Sequence, residues 1–133
     1  MGMSELTADV NWIAVIVGFA LSFLLGWAWF GPKMFGTKWA EGVGMKMGDG
    51  SQMPAAAMIL QALGTFMLSW LVGITATHNA LYTIILVALT IMVLMAAGGK
   101  FTKKSDYAIY AETGFVAAMV VIMIIVEGIF RHM

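Results

Sequence analysis

Four uninterrupted apolar runs constrain this chain more than any other feature. They cover residues 11–30, 54–77, 80–99 and 107–130. Each has the roughly 20 residues that a helix needs to cross about 30 Å of hydrocarbon. Within the four runs the only charged side chains are Glu112 and Glu127. Because a backbone in lipid must satisfy its own hydrogen bonds, spans of this length must be helices. The sequence therefore predicts an all-α integral membrane protein with four transmembrane helices.

Composition supports one transmembrane domain over residues 1–133. Hydrophobic residues make up 62% of the chain and charged residues only 11%, which leaves too little polar surface for a water-soluble globule. Pro54 suits the first turn of the second helix, and the Gly98-Gly99 pair is expected to end the third. The net charge is zero, so membrane lipids and not nucleic acid are the expected partners.

The positions of the lysines predict the orientation. The loops 31–53 and 100–106 carry all six lysines, whereas the opposite side carries only Arg131. This bias predicts that both loops are cytoplasmic and that both termini lie outside, in the periplasm of a bacterium. The acidic opening stretch does not resemble a cleaved signal, and we expect it to form a short tail.

An aromatic segment follows the first span. Trp27 and Trp29 fall where that span reaches the headgroups, the depth that amphipathic aromatic side chains prefer. Beyond Pro32, which suits the start of a short helix, Phe35 and Trp39 are four residues apart and share one helical face. We expect an amphipathic interfacial helix with this face in lipid. A ligand-binding aromatic box is the alternative.

The same segment carries a family resemblance. Its motif consists of Asn11-Trp12, Trp29-Phe30-Gly31-Pro32, Phe35-Gly36 and Trp39. The pattern resembles the opening of a bacterial family of small four-helix membrane proteins that is known only as domain of unknown function 1761. The resemblance implies a four-helix membrane protein, and it implies no activity and no catalytic residues. With both termini predicted in the periplasm, we expect the protein in the bacterial inner membrane.

Two stripes of small or polar residues run along the first two spans at four-residue spacing. The first consists of Ala14, Gly18, Ser22 and Gly26, and the second of Gln61, Thr65 and Ser69. Small residues let helices approach closely in lipid, and hydroxyl and amide groups hydrogen-bond between helices. Packing inside the bundle and contact between subunits of a homo-oligomer are the main interpretations. A polar pathway lined by the Gln61 stripe is the alternative.

Glu112 and Glu127 each need a partner, because a charge at mid-membrane costs about 2.5–3.5 kcal/mol on insertion scales. Arg131 follows Glu127 by four residues, in the order that favours an ion pair. Lys103, Lys104, Gln61 or a tyrosine would satisfy Glu112. A proton or cation site at Glu112 is the sharper hypothesis.

No pattern of an enzyme or of a cofactor site occurs in the sequence. Cysteine is absent, and no Ser-His-Asp set, metal-ligand spacing or phosphate-binding glycine loop is present. The thirteen methionines suggest a Cu(I) site as an alternative, because thioether sulfur binds Cu(I). Methionine is, however, also a common residue in apolar packing. We therefore expect neither a metal nor a cofactor.

Two functions remain at this stage. The first is a self-associating structural or accessory subunit of a membrane assembly. The second is a small oligomeric channel or transporter that uses Glu112 and the Gln61 stripe.

Overall fold

Helices account for most of the chain that the computed structural model describes, which comprises residues 4–31, 34–44 and 55–130. In chain order they are α1 (Ser4–Thr7), α2 (Trp12–Trp29), α3 (Gly36–Val43), α4 (Ala55–Thr77), α5 (Leu81–Phe101) and α6 (Asp106–Phe130). Four of them, α2, α4, α5 and α6, are long and apolar enough to cross a membrane. No strand occurs within these ranges. The predicted all-α fold with four candidate spans is confirmed.

A capping side chain marks the start of α2, whereas the end of α5 differs from the sequence expectation. Asn11 precedes α2, and its Oδ1 accepts a hydrogen bond from the Ala14 N–H at 3.1 Å, which satisfies one of the unpaired donors of the first turn. The expected stop of α5 at Gly98-Gly99 is wrong, because the helix continues to Phe101. Gly99 instead allows α5 to approach α6, since a Cβ there would lie 2.7 Å from Ile109 Cγ1.

The last span is the central element of the bundle. α6 packs against α2, α4 and α5, and also against the short helix α3. α4 packs on both α2 and α5. The bundle therefore contains two groups of three helices, α2–α4–α6 and α4–α5–α6. α5 is the least buried of the four spans and α6 the most buried.

The core lies where α6 meets α4 and α5. Its buried members are Leu68, Val72, Ile84, Ala88, Phe115, Val116, Met119, Val120 and Met123. Met119 and Met123 belong to the methionines that suggested a Cu(I) site. Both pack as part of this apolar core.

The stripe of small residues on α2 faces inward. Ala14, Gly18 and Ser22 are buried within the protomer. A Cβ on Gly26, the fourth member, would lie 3.0 Å from Phe115 Cζ of α6. The interpretation of this stripe as a self-association surface is therefore corrected, because α4 and α6 of the same chain already occupy it. Packing inside the bundle, the other interpretation, describes what the stripe does.

One hydrogen bond joins the polar stripe of α4 to the backbone of α2. The Ser69 Oγ on α4 donates to the Val15 carbonyl oxygen on α2 at 2.7 Å, and both residues are buried. A Cβ on Gly18 would lie only 2.9 Å from that Oγ, so the missing side chain makes room for the hydroxyl. Small and polar residues together hold α2 and α4 close to each other.

The two ends of the bundle differ in charge. At one end, which we call the lysine end, the Ser105 N–H before α6 donates to the Gly42 carbonyl oxygen of α3 at 3.1 Å. Lys38, Lys100, Lys103 and Lys104 lie at this end. At the other end, the tail end, the Trp70 Nε1 of α4 donates to the Leu6 carbonyl oxygen of α1 at 2.8 Å. The grouping of these four lysines follows the sequence expectation, and the side of the membrane stays a prediction.

Candidate functional site

The first candidate site is built around α3 at the lysine end. Gly36 and Ala40, four residues apart on one face of α3, are both buried. On the same helix a Cβ at Gly42 would lie 2.1 Å from Ser105 Oγ and 2.8 Å from Ala108 Cβ. Gly44 ends α3 in the left-handed conformation, with φ of 81°. Small residues thus allow the backbone of α3 to lie against the start of α6.

The aromatic face of α3 points into the protein. Phe35 packs on Trp29 with ring centroids 4.8 Å apart, and Trp39 packs on Phe30 at 4.9 Å. The expectation that Phe35 and Trp39 lie in lipid is therefore corrected. The aromatic rings at the end of α2 give these side chains a closer-packed surface than lipid would. Trp27, by contrast, is 69% exposed, and its role as a membrane anchor stays a prediction.

Further aromatic contacts tie this region to α6. Phe115 packs edge-on against Phe30 at 5.2 Å, and the Trp29 Nε1 donates to the Ala111 carbonyl oxygen at 2.9 Å. The Lys38 Nζ lies 5.4 Å from the centre of the Tyr107 ring, within cation–π range. We call Trp29, Phe30, Phe35, Trp39, Tyr107 and Phe115 the aromatic cluster. It joins the end of α2, α3 and the first turns of α6 into one packed unit.

Glu112 sits beside the aromatic cluster and has two partners. The Lys104 Nζ lies 3.0 Å from each carboxylate oxygen, and the Trp39 Nε1 donates to Oε2 at 2.9 Å. The Glu112 side chain is 15% exposed and that of Lys104 is 32% exposed. Of the partners considered from the sequence, Lys104 is the one that the structure brings to Glu112. The contact with Trp39 was not anticipated.

The polar stripe on α4 does not join this site. Gln61 is exposed, and its Nε2 donates to Thr65 Oγ1 at 3.3 Å. The Thr65 Oγ1 in turn donates to the Gln61 carbonyl oxygen at 2.7 Å, so both residues bond within α4. Ser69 bonds to α2, as described above. The described contacts therefore do not link Gln61 to Glu112.

Glu127 lies near the tail end of α6. It is 8% exposed, and its Oε2 is enclosed without a hydrogen-bond partner among the described residues. The Arg131 with which an ion pair was predicted lies outside the described residues. Glu127 and Glu112 are at opposite ends of α6 and form separate sites.

Metal binding has little support in the part of the chain that is described. There, no group of three or more His, Cys, Asp or Glu side chains is placed to hold a metal ion. The Glu112 site can neutralise one carboxylate with one ammonium group and orient an indole N–H. These are the chemical properties of a fixed, buried ion pair.

This arrangement defines a class of protein, the polytopic α-helical membrane protein with a short helix docked at one end of its bundle. The chain matches the family described as "Protein of unknown function (DUF1761)" over residues 13–133 and belongs to it. The sequence resemblance to this family is thus confirmed. No curated protein and no solved structure matches the chain.

Two features of the sites had weak signals in the sequence. Gly36 and Ala40 form a small-residue face on α3, which is typical of a helix that packs on protein. Gly73 lies opposite Glu127, and a Cβ there would be 3.4 Å from Glu127 Oε2 and 2.9 Å from Val15 Cγ2. No sequence pattern around Gly36 or Gly73 indicates which residue each of them packs against. The sequence alone therefore did not reveal these contacts.

Proposed function

We propose that this protein is a structural or accessory membrane protein that works by association with itself, with lipids or with a larger membrane complex. The observation that carries the proposal is the pairing of Glu112 with Lys104 and Trp39. This pairing neutralises a charge within a span and at the same time fixes α3 to α6. The Glu112 carboxylate, a charged group within a span, therefore contributes to packing between helices.

The surface for association is the outward side of α5 and α4. α5 is the least covered span, and the small-residue stripe of α2 is occupied by the protomer itself. Gly98 on α5 and Gly64 on α4 have open space around them, with no atom within 4 Å of an added Cβ. Open glycines on a lipid-facing helix allow another backbone to approach.

The orientation in the membrane is part of the proposal. We place the lysine end in the cytoplasm and both termini in the periplasm of a bacterial inner membrane. The argument is the excess of lysine at one end of the bundle.

Oligomeric mass in nanodiscs tests the proposed self-association. We expect the unaltered protein to form a homo-oligomer, and we expect Gly98→Leu or Gly64→Leu to lower its mass without changing the stability of the protomer. Gly26→Leu is the matched internal control, because its side chain would collide with Phe115 and destabilise the protomer. A monomer at all protein concentrations would refute self-association.

A channel or transporter that uses Glu112 and Gln61 is the competing function. Gln61 forms its hydrogen bonds within α4 and not with Glu112. This argues against a pathway lined by both residues. Proton and cation flux into liposomes distinguishes the two functions. We expect Glu112→Gln to weaken folding while the flux stays at the background of empty liposomes. Flux through the unaltered protein that disappears in a well-folded Glu112→Gln variant would establish the channel instead.

A further inference from the structure

Glu127 occupies a closed niche between three spans. Its carboxyl group extends from α6 toward α4 and the start of α2. Oε2 lies 3.4 Å from the Cβ position of Gly73, where α4 has no side chain. A Cβ on Gly73 would also come within 2.9 Å of Val15 and 3.5 Å of Val10. The niche therefore combines one carboxyl group with apolar walls, at a point where a glycine leaves just enough room for it.

At this end of the bundle, the side chains of Thr75 on α4 and of Asn11 before α2 donate hydrogen bonds to backbone oxygens. The Thr75 Oγ1 donates to the Val72 carbonyl oxygen at 2.9 Å. The Asn11 Nδ2 donates to the Phe130 carbonyl oxygen at 3.4 Å, while its Oδ1 caps α2. Within the described ranges, Glu127 Oε2 has no donor. A buried acceptor without a donor calls for an explanation.

Within the part of the chain that the structure describes, the charged groups around the niche do not supply a partner either. α2 and α4, the elements that pack on this part of α6, contain no Asp, Glu, Lys, Arg or His. α5 has only Lys100, which is at the lysine end. The ionisable residues at the tail end that the structure describes are exposed; they are Glu5, Asp9, His78 and Tyr82. The niche thus holds a carboxyl group with no cationic side chain from these elements.

We propose that Glu127 is a proton-binding site at the tail end of the bundle, held as a neutral carboxylic acid between α2, α4 and α6. An ionised carboxylate without a partner is far more costly in an apolar site than a neutral one. A metal ion needs several oxygen ligands, and this niche offers one carboxyl group. The site is distinct from Glu112, whose charge Lys104 balances.

Infrared spectroscopy of the full-length protein in nanodiscs tests the proposal. At about pH 7 exposed carboxyl groups are ionised. We expect the unaltered protein to show the C=O stretching band of a protonated carboxylic acid, and we expect ¹³C-carboxyl labelling of glutamate to shift it. The band should disappear in Glu127→Gln, a variant of nearly the same shape. It should persist in the matched control Glu112→Gln.

Two outcomes would overturn the proposal. The first is the absence of the band from the spectrum of the unaltered protein. This result can be interpreted without any variant. If the band is absent there and arises only in Arg131→Ala, then Arg131 pairs with an ionised Glu127, as the sequence alone predicted. The second is a band that remains in Glu127→Gln, which would place the protonated group elsewhere.

Discussion

At the scale of single residues, surroundings decide what the two glutamates of α6 do. Glu112 has an ammonium group and an indole N–H within hydrogen-bond distance, whereas Glu127 faces valines and a glycine. The same side chain is therefore an ion-pair partner at one end of a helix, and at the other end it has no charged partner among the described residues. The backbone reinforces the difference, because Lys103 has a positive φ of 62° just before Lys104, where the chain turns back toward α6.

The ion pair can be tested by comparing two adjacent lysines. We expect Lys104→Met to lower the free energy of unfolding by about 1–3 kcal/mol, because Glu112 loses a charged partner while mostly buried. Lys103→Met is the matched control and should change it by no more than about 0.5 kcal/mol. Chemical unfolding in detergent, followed by tryptophan fluorescence, measures both. Equal losses in the two variants would contradict the assignment of Lys104 as the partner.

Ser69 provides a second prediction at this scale. Ser69→Ala removes the hydrogen bond from α4 to α2, and we expect a loss of about 0.6–1.7 kcal/mol. Thr90→Ala serves as the control, since the exposed Thr90 hydroxyl donates to the Leu86 carbonyl oxygen of its own helix. The same unfolding assay applies. If Thr90→Ala is as costly as Ser69→Ala, the bond between helices has no special role.

At the scale of elements, the docking of α3 depends on the absence of side chains. The close approach at Gly42 brings the backbone of α3 to Ser105 and Ala108. Gly36 and Ala40 extend this contact along the helix. The position of α3 holds the aromatic cluster together. It also places the Trp39 Nε1 where it donates a hydrogen bond to the Glu112 carboxylate.

A single methyl group should release α3. In Gly42→Ala the new Cβ would lie 2.1 Å from Ser105 Oγ, so we expect α3 to move away from α6 and Trp39 to lose its contact with Glu112. A red shift of tryptophan emission and faster hydrogen exchange of the α3 amides would report this movement. Gly64→Ala, with open space around the new methyl group, should leave both unchanged. Protection of α3 that survives Gly42→Ala would refute the tight contact.

Hydropathy and charge were sufficient to predict the four candidate spans and the grouping of the four described lysines, because lipid imposes length and apolarity on each span separately. The docking of α3 was beyond the sequence, since Phe35 and Trp39 form an apolar face that suits lipid and protein equally. The end of α5 was misplaced because Gly99 serves close packing on Ile109 and does not cap the helix. The partner of Glu112 could not be chosen between two adjacent lysines without the backbone turn before α6.

At the scale of the whole molecule, the arrangement of spans makes a prediction about the membrane. The chain has no cysteine, so single cysteines introduced at Lys103 and His78 are clean reporters. Lys103 lies at the lysine end and His78 in the turn between α4 and α5 at the tail end. We expect a membrane-impermeant maleimide to label His78→Cys in intact cells and Lys103→Cys only after the membrane is opened. The reverse pattern would invert the proposed orientation.

The central position of α6 has a consequence for biogenesis. Ribosomes deliver α2, α4 and α5 to the bilayer before the helix against which all three pack. Until α6 arrives, α3 can pack only on the aromatic rings at the end of α2, and Glu112 and Lys104 are not yet within one another's reach. The packing of α2 on α4 can form first, but the apolar core and the Glu112 ion pair must wait until α6 has entered the membrane.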